Sequence, residues 1–586
     1  MFVDDIPAPG AYRVAIIRSA SARGKLTSMR CPLLKAGYTL IKAEDVPGEN
    51  RLFESDMPIL ASDAVSYIGE PVALLVGPDR IKLDEYAAQC IVEVEEEEAC
   101  LSLSSAETVF CKKEMEWGNP PKQAAGEEGG EIVVEGNYET GIQEHWYSEA
   151  HGALAEITDH GPEESILIRT ASQRPDHVRQ AVSNVLNIDV EHIFVENVEI
   201  GIHFDGKIWH PSLIACLAAL AAFKTRKPVK LQLKRQEDYL FSPKRAASAI
   251  RIESVLSPEG YVLETRLDMK IGLGAYAILG ERMLETAAAA FSSVYKMGKL
   301  RAKISSMRYD VPPAGPFAGY GSAFASFALE RHISKICDAL DEDGEDWRGL
   351  RLLGKVKSRF KIDERTKAPV DSIAGAVSRK SGYKRKWAVY ELLRRRGDKE
   401  TERVLPQRGI GIAFALGETR DEAEAGPMAA IVVEVEIDRI NCEAKIRGVW
   451  LVVSSGRLND KAKAKQMLRR SLIAAIGWTS TEKIKYERGR TTPEISALYQ
   501  ILPVSETPPI SIDFIEEPEK GAQNEDDLES LPFCVVPAAY TQAISQAVDH
   551  HFERIPITGQ DIWRVMNIVS RQEESADKKA GEEGGA

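Results

Sequence analysis

The chain has 586 residues and a formal net charge of −14, with 44% hydrophobic and 28% charged residues. Those are the proportions of an ordinary globular protein long enough for several domains. The acidic balance argues against non-specific binding of nucleic acid. The cysteines, at 31, 90, 100, 111, 216, 337, 442 and 534, form no C-x-x-C pair and no iron–sulfur or zinc spacing. Thiols scattered in this way are expected of a reducing compartment and not of a disulfide framework.

The opening MFVDDIPAPGAYRVAIIRS places two acids and two prolines before any apolar run, unlike a signal peptide. The most apolar stretch, Leu213 to Phe223, is too short to span a bilayer and reads as a buried helix. A cytoplasmic protein with no membrane span is expected.

In chain order, residues 1–111 alternate β-type runs such as YRVAII and PVALLV with Pro/Gly turns and one helical stretch, an α+β pattern. Residues 112–131, charged and rich in Gly and Pro, read as a linker. From 132 to 340 strands and helices mix: HIFVENVEI, the apolar helix, VKLQL, then a β-rich stretch over 249–309. Within it GLGAY at 272–276 lacks the third glycine of a dinucleotide loop and reads as a β-bulge or turn. Residues 341–408 form a basic connector around KWAVYELLRRR. It reads as an amphipathic surface helix with a solvated basic face, because few aromatics interleave as they would in a nucleic-acid patch. A last unit over 409–570 contains the strand AAIVVEVEI and an acidic loop at 516–529, and 571–586 is expected to be disordered.

No self-contained catalytic motif stands out: there is no G-x-S-x-G, H-E-x-x-H or Walker sequence. His145 and His151 lie near Glu144 and Glu149, but their spacing of six is not the spacing of four that puts two ligands on one helix face. They read as structural, and no direct metal ligand is assigned.

Collinear segments nevertheless resemble one family. FVDDIPAPGAYRVAIIRSASARGKL, EDVPG and VSYIGEPVALLVGPD are similar to the a/b hammerhead domain of the xanthine dehydrogenase/aldehyde oxidase family, the molybdenum hydroxylases. GNYETGIQEHWYSEAHGALAE, TASQRPDHVRQAVSNVLNI, VPPAGPFAGYGSAFASFALER, VPAAYTQAISQAV and IPITGQDIWRVM resemble segments of its large, molybdopterin-binding subunit. The resemblance implies an α+β fold: a hammerhead domain, then a cofactor-binding region of mixed sheets and helices, shortened in its second half.

It also implies oxidoreductase chemistry, hydroxylation of a carbon in a small aldehyde or nitrogen heterocycle at a molybdenum–molybdopterin cofactor, with a glutamate as base. Electrons would leave through small FAD-binding and 2Fe–2S subunits, since this chain has no flavin or iron–sulfur motif; self-association is a further possibility. Carried over residue by residue, Gln173, Phe204, Gly206, Gly319 and Gly456 fall at cofactor-site positions and Glu529 at the catalytic base. The bland reading of Glu529 is that it extends the acidic run Glu525-Asp526-Asp527 on a solvated loop.

Departures from the pattern are specific. The family's G-G-F-G-G-K-E loop stands here as Ile202-His203-Phe204-Asp205-Gly206-Lys207-Ile208, and Ala318 replaces an arginine. Between Leu416 and Ala429 two strands follow one another without the family's G-Q-G-x-x-T segment. Arg469-Arg470 replace paired glycines, where two long cations would oppose close backbone approach while still suiting an anion. Two readings stay open: a working subunit whose missing segment comes from another chain, and a non-catalytic member that binds partners.

Overall fold

The structure is a computed structural model that describes residues 1–119, 131–159, 164–295, 297–351, 370–396, 406–417, 426–517 and 522–567. The tail 571–586, most of the 112–131 linker and the middle of the 341–408 connector lie outside the described residues.

Three larger sheets organise the chain. The first has seven strands in the order 193–197, 164–170, 152–159, 229–232, 12–18, 71–77, 39–42. Tyr12–Arg18 runs parallel to Val229–Gln232 and antiparallel to Pro71–Gly77, so strands from before and after residue 111 share one sheet. Pro71–Gly77 is buried along its whole length, as its unbroken apolar run requires. The helix His210–Thr225 packs on this sheet and is buried at every residue from His210 to Ala222, in line with its uniformly apolar sequence.

The second sheet has six strands, ordered 554–555, 132–140, 247–256, 262–274, 299–308, 109–117. Ile132–Thr140 alternates buried and open positions, the period-two pattern of a half-covered strand. Val109–Trp117 is its edge strand and carries regular structure into the segment expected to be linker. The GLGAY segment is a bulge, with a register shift between Gly272 and Gly274.

The third sheet is ordered 407–416, 428–437, 444–455, 510–516. Gln407–Leu416 and Met428–Ile437 pair directly as antiparallel neighbours, with Leu416 opposite Met428. Residues 418–425, where the family's extra segment would begin, lie outside the described residues. Glu330 ties this sheet to the first half of the chain. It accepts 2.8 Å from Arg348 Nε and 3.2 Å from the backbone N–H of Phe414, all buried.

The helix Leu531–Val548 lies across the edge strand Gln407–Leu416. Gln546 and Gln542 accept from the strand's Ile410 and Ile412 N–H groups at 2.9 and 2.8 Å, satisfying an edge that would otherwise be open. Gly409 and Gly411 allow the contact: a Cβ there would come within 1.9 and 2.0 Å of the Ala543 and Ala539 carbonyl oxygens.

One expectation is corrected. Cys31 and Cys90 form a disulfide with Cα atoms 4.3 Å apart. The strand Gly24–Arg30 pairs antiparallel with Ile91–Glu96, Arg30 opposite Ile91, so the flanking cysteines face each other. Their separation of 59 residues hides that pairing from a spacing argument.

Because the atoms met at Gly411 are backbone and cannot swing aside, Gly411→Ala should destabilise the protein by about 1–3 kcal/mol. A melting temperature equal to the parent's would contradict this packing.

Candidate functional site

The site forms where three segments meet: the loop 201–208 ahead of the helix His210–Thr225, the segment 316–319 ahead of Tyr320–Leu340, and residues 525–530 ahead of Leu531–Val548. In the loop, Phe204 (φ 45°) and Asp205 (φ 65°) both adopt the left-handed region. An aspartate tolerates this better than most residues, and so fits where the resemblance puts a glycine. The Phe204 carbonyl accepts from Ala318 N–H at 2.9 Å, locking the loop to the 316–319 segment.

Gln173 is the loop's main tether. Its backbone N–H donates to the Lys207 carbonyl (2.9 Å), its Oε1 accepts from Lys207 N–H (3.1 Å), and its Nε2 donates to Asp205 Oδ1 (3.0 Å). Gly206 is a packing position: a Cβ would lie 2.3 Å from the Tyr147 hydroxyl and 2.5 Å from the His145 ring. Lys207 is buried and paired to Glu149; burial lowers its pKa, and the Glu149 contact opposes that.

Phe204 stacks on Phe317 at 5.6 Å and meets Phe533 edge-on at 5.5 Å. Phe317 stacks in turn on His145 at 4.4 Å. Behind them the buried Arg245 guanidinium lies 3.8 Å from the Phe317 ring centre, 4.2 Å from Trp478 and 4.6 Å from Phe533. Burial pulls its pKa down to about 9. Arg245 Nε donates to Gln143 Oε1 at 3.1 Å, and Gln143 Nε2 donates to Glu482 at 2.9 Å. His145 pairs with the Pro316 carbonyl at 2.8 Å and His151 with Asp238 at 2.7 Å, and burial pushes both imidazole pKa values well down.

Glu529 is 7% exposed, not on a solvated loop. Arg470, from the helix Lys461–Ser480, donates to its Oε1 at 2.5 Å and lies 5.8 Å from the Phe204 ring centre. Burial pushes the Glu529 carboxyl up to about 7, with Arg470 pulling down and Asp205 pushing up. Ligand atoms of His203, Asp205 and Glu529 all lie within 4.8 Å of one another. Burial, reinforced by Arg470 and Lys207, lowers His203 to about 4, so its imidazole is neutral at neutral pH.

These contacts bring Gln173, Phe204, Gly206 and Glu529 together. Gly319 (φ 89°) borders them, since a Cβ there would be 3.6 Å from the Ser530 carbonyl. Gly456 lies buried at the end of the strand Ala444–Ser455, and none of these contacts carries it to the group. His203, Asp205 and Arg470 were visible in the sequence only as departures from a pattern. Gln143 lies in a segment quoted for the resemblance but was not singled out, and neither were Arg245 and Glu482, because nothing local marks a polar residue that distant segments will bury.

Comparison with known proteins agrees with this architecture. Residues 105–351 match the molybdopterin cofactor-binding domain family. The chain is 27% identical over 362 residues to xanthine dehydrogenase of Oryza sativa subsp. japonica, covering 60% of this chain and 26% of that protein. It is 26% identical over 396 residues to a probable xanthine dehydrogenase subunit of Bacillus subtilis, covering 64% of this chain and 51% of that one. The matches thus span a quarter to a half of these relatives' length. The fold superposes on aldehyde oxidoreductase from Desulfovibrio gigas with a TM-score of 0.81 at 15% identity, over 96% of this chain and 78% of that one. The chain thus carries a match to the molybdopterin cofactor-binding domain over residues 105–351, is similar in sequence to xanthine dehydrogenases, and shares the α+β fold of an aldehyde oxidoreductase. Among the described residues no helix is long and apolar enough to cross a membrane.

The side chains present do not fit the reactive end of a molybdenum–molybdopterin cofactor. Arg470 bridges Phe204 and Glu529, between which the resemblance would put that end. A pterin cofactor of this kind is gripped by backbone N–H groups in glycine-rich turns, but in this loop they are turned inward. Asp205 N–H donates to His203 Nδ1, Gly206 N–H to the His203 carbonyl and Lys207 N–H to Gln173.

Burial pushes Glu482 up to about 7, against donors from Tyr499 and Gln143 that pull it down. A carboxyl whose folded pKa exceeds its unfolded value contributes stability below about pH 4.5, and that contribution is lost as pH rises through about 7. Glu482→Gln, neutral at every pH, should therefore gain on the parent protein in thermal stability between pH 5 and pH 8. Parallel melting curves across that range would refute the buried neutral carboxyl.

Proposed function

We propose that the chain is the large subunit of a xanthine dehydrogenase/aldehyde oxidase-type oxidoreductase assembly, and that its hydroxylation centre is closed, so that it serves in binding partners and not in turnover. The partners are small FAD-binding and 2Fe–2S subunits, a reading supported by the likeness to a probable xanthine dehydrogenase subunit of Bacillus subtilis. The observation that carries this reading is the Arg470 bridge between Glu529 and Phe204. A general base must have a clear path to the proton it takes, and a guanidinium 2.5 Å from Glu529 Oε1 stands in that path.

A second reading, a working hydroxylase of an aldehyde or nitrogen heterocycle, draws on the position of Glu529. A carboxyl near pKa 7 has the poise of a base, and displacement of Arg470 would free it.

The test is molybdenum and pterin content of the purified protein with whatever co-purifies. Well under one molybdenum per chain, together with flavin- and iron–sulfur-bearing partners, is the expected outcome. Near one molybdenum per chain, with pterin released on denaturation, would favour the second reading. In that case Glu529→Gln should abolish hydroxylation while leaving the fold intact.

A further inference from the structure

We propose that His203, Asp205 and Glu529 form a site for one divalent transition-metal cation taking mixed nitrogen and oxygen ligands, of the zinc or manganese class. This is not the cofactor's metal: two of its three side chains, His203 and Asp205, stand where the resemblance puts glycines, and the third, Glu529, where it puts the base.

The donor set is one imidazole nitrogen and two carboxylates, drawn from segments 324 positions apart along the chain (from 205 to 529) and held within 4.8 Å of one another. Ligand atoms around a tetrahedral zinc sit ~3.4 Å apart, given Zn–N and Zn–O distances of about 2.1 Å. Closing the site therefore needs side-chain shifts of about an ångström. One imidazole with two carboxylates suits zinc or manganese better than a soft, thiolate-seeking ion.

The surroundings hold the ligands in place. The His203 carbonyl and the Phe204 carbonyl are both hydrogen-bonded, at 2.8 and 2.9 Å, which fixes the turn that presents His203 and Asp205 together. Gln173 Nε2 donates to Asp205 Oδ1 and Arg470 to Glu529 Oε1, so both carboxylates are oriented. Outer partners of this kind orient metal-bound carboxylates. His203 Nδ1 accepts from Asp205 N–H at 3.1 Å, so an ion taken at Nδ1 displaces that bond and one taken at Nε2 requires the other tautomer. Arg470 opposes the ion as a neighbouring positive charge, so its removal should strengthen binding.

The inference takes from the proposed function only that molybdenum does not occupy this pocket. The full chain, purified and stripped with a chelator, is titrated with Zn²⁺ by calorimetry, and its molybdenum content is measured in parallel. One ion per chain is expected. Asp205→Gly and Glu529→Gln should each weaken binding at least tenfold, and Arg470→Met should tighten it. Glycine accepts the left-handed backbone at 205, so loss of binding in that variant is not loss of the loop. Absence of stoichiometric Zn²⁺ binding, variants that bind like the parent, or an Arg470→Met that binds no tighter would each overturn the site. Near one molybdenum per chain would overturn the proposed function and this inference together. A molybdenum-free chain that also ignores Zn²⁺ overturns this inference alone.

Discussion

The site depends on how closely the helix Leu531–Val548 can lie on the strand Gln407–Leu416. Gly409 and Gly411 bring the two backbones together, and Gln542 and Gln546 then reach the strand's N–H groups. With the helix so placed, Phe533 meets Phe204 and Phe317, and Glu529 is delivered just ahead of the helix's first turn. The helix Lys461–Ser480 packs alongside and carries Arg470 to the same spot. A shift of one helix on one strand would therefore move the aromatic wall, the carboxylate and its counter-ion together. Interiors packed to this density do not deform gradually.

Around that frame the chemistry has changed from backbone to side chain. Where the resemblance puts glycine turns that offer N–H groups to an anion, this loop spends those groups on itself and presents an imidazole and a carboxylate. The substitutions fit one another. Asp205 keeps the left-handed backbone a glycine would have, and Gln173 keeps its place by holding Asp205 and Lys207. Arg470 supplies the charge that a carboxylate buried to Glu529's degree requires.

The fold was legible where sequence pattern is strong. The apolar run 213–223, the unbroken PVALLV, the alternation in 132–140 and the glycine-marked bulge at 272–274 each carry their structure locally. What could not be read was long-range. The Cys31–Cys90 pair depends on strand register, and the sheet that joins residues 12–77 to 152–232 ignores a boundary drawn from composition. Within the site, Glu529 looked like part of an acidic loop because its neighbours Asp526 and Asp527 are acidic. Only packing separates it from them, turning Glu529 inward while Asp526 stays exposed.

Arg470 shows how such a site can be stable and not merely decayed. Without a cation beside it Glu529 would face Asp205 across a few ångströms, two like charges in a poorly solvated space. A cation removes that repulsion, and an arginine does so with a planar head that also lies against the Phe204 ring. Its stem comes from a helix already packed against Leu531–Val548, so no new element is needed to bring it in. Arg470 and Glu529 are thus halves of one arrangement, each offsetting the charge of the other.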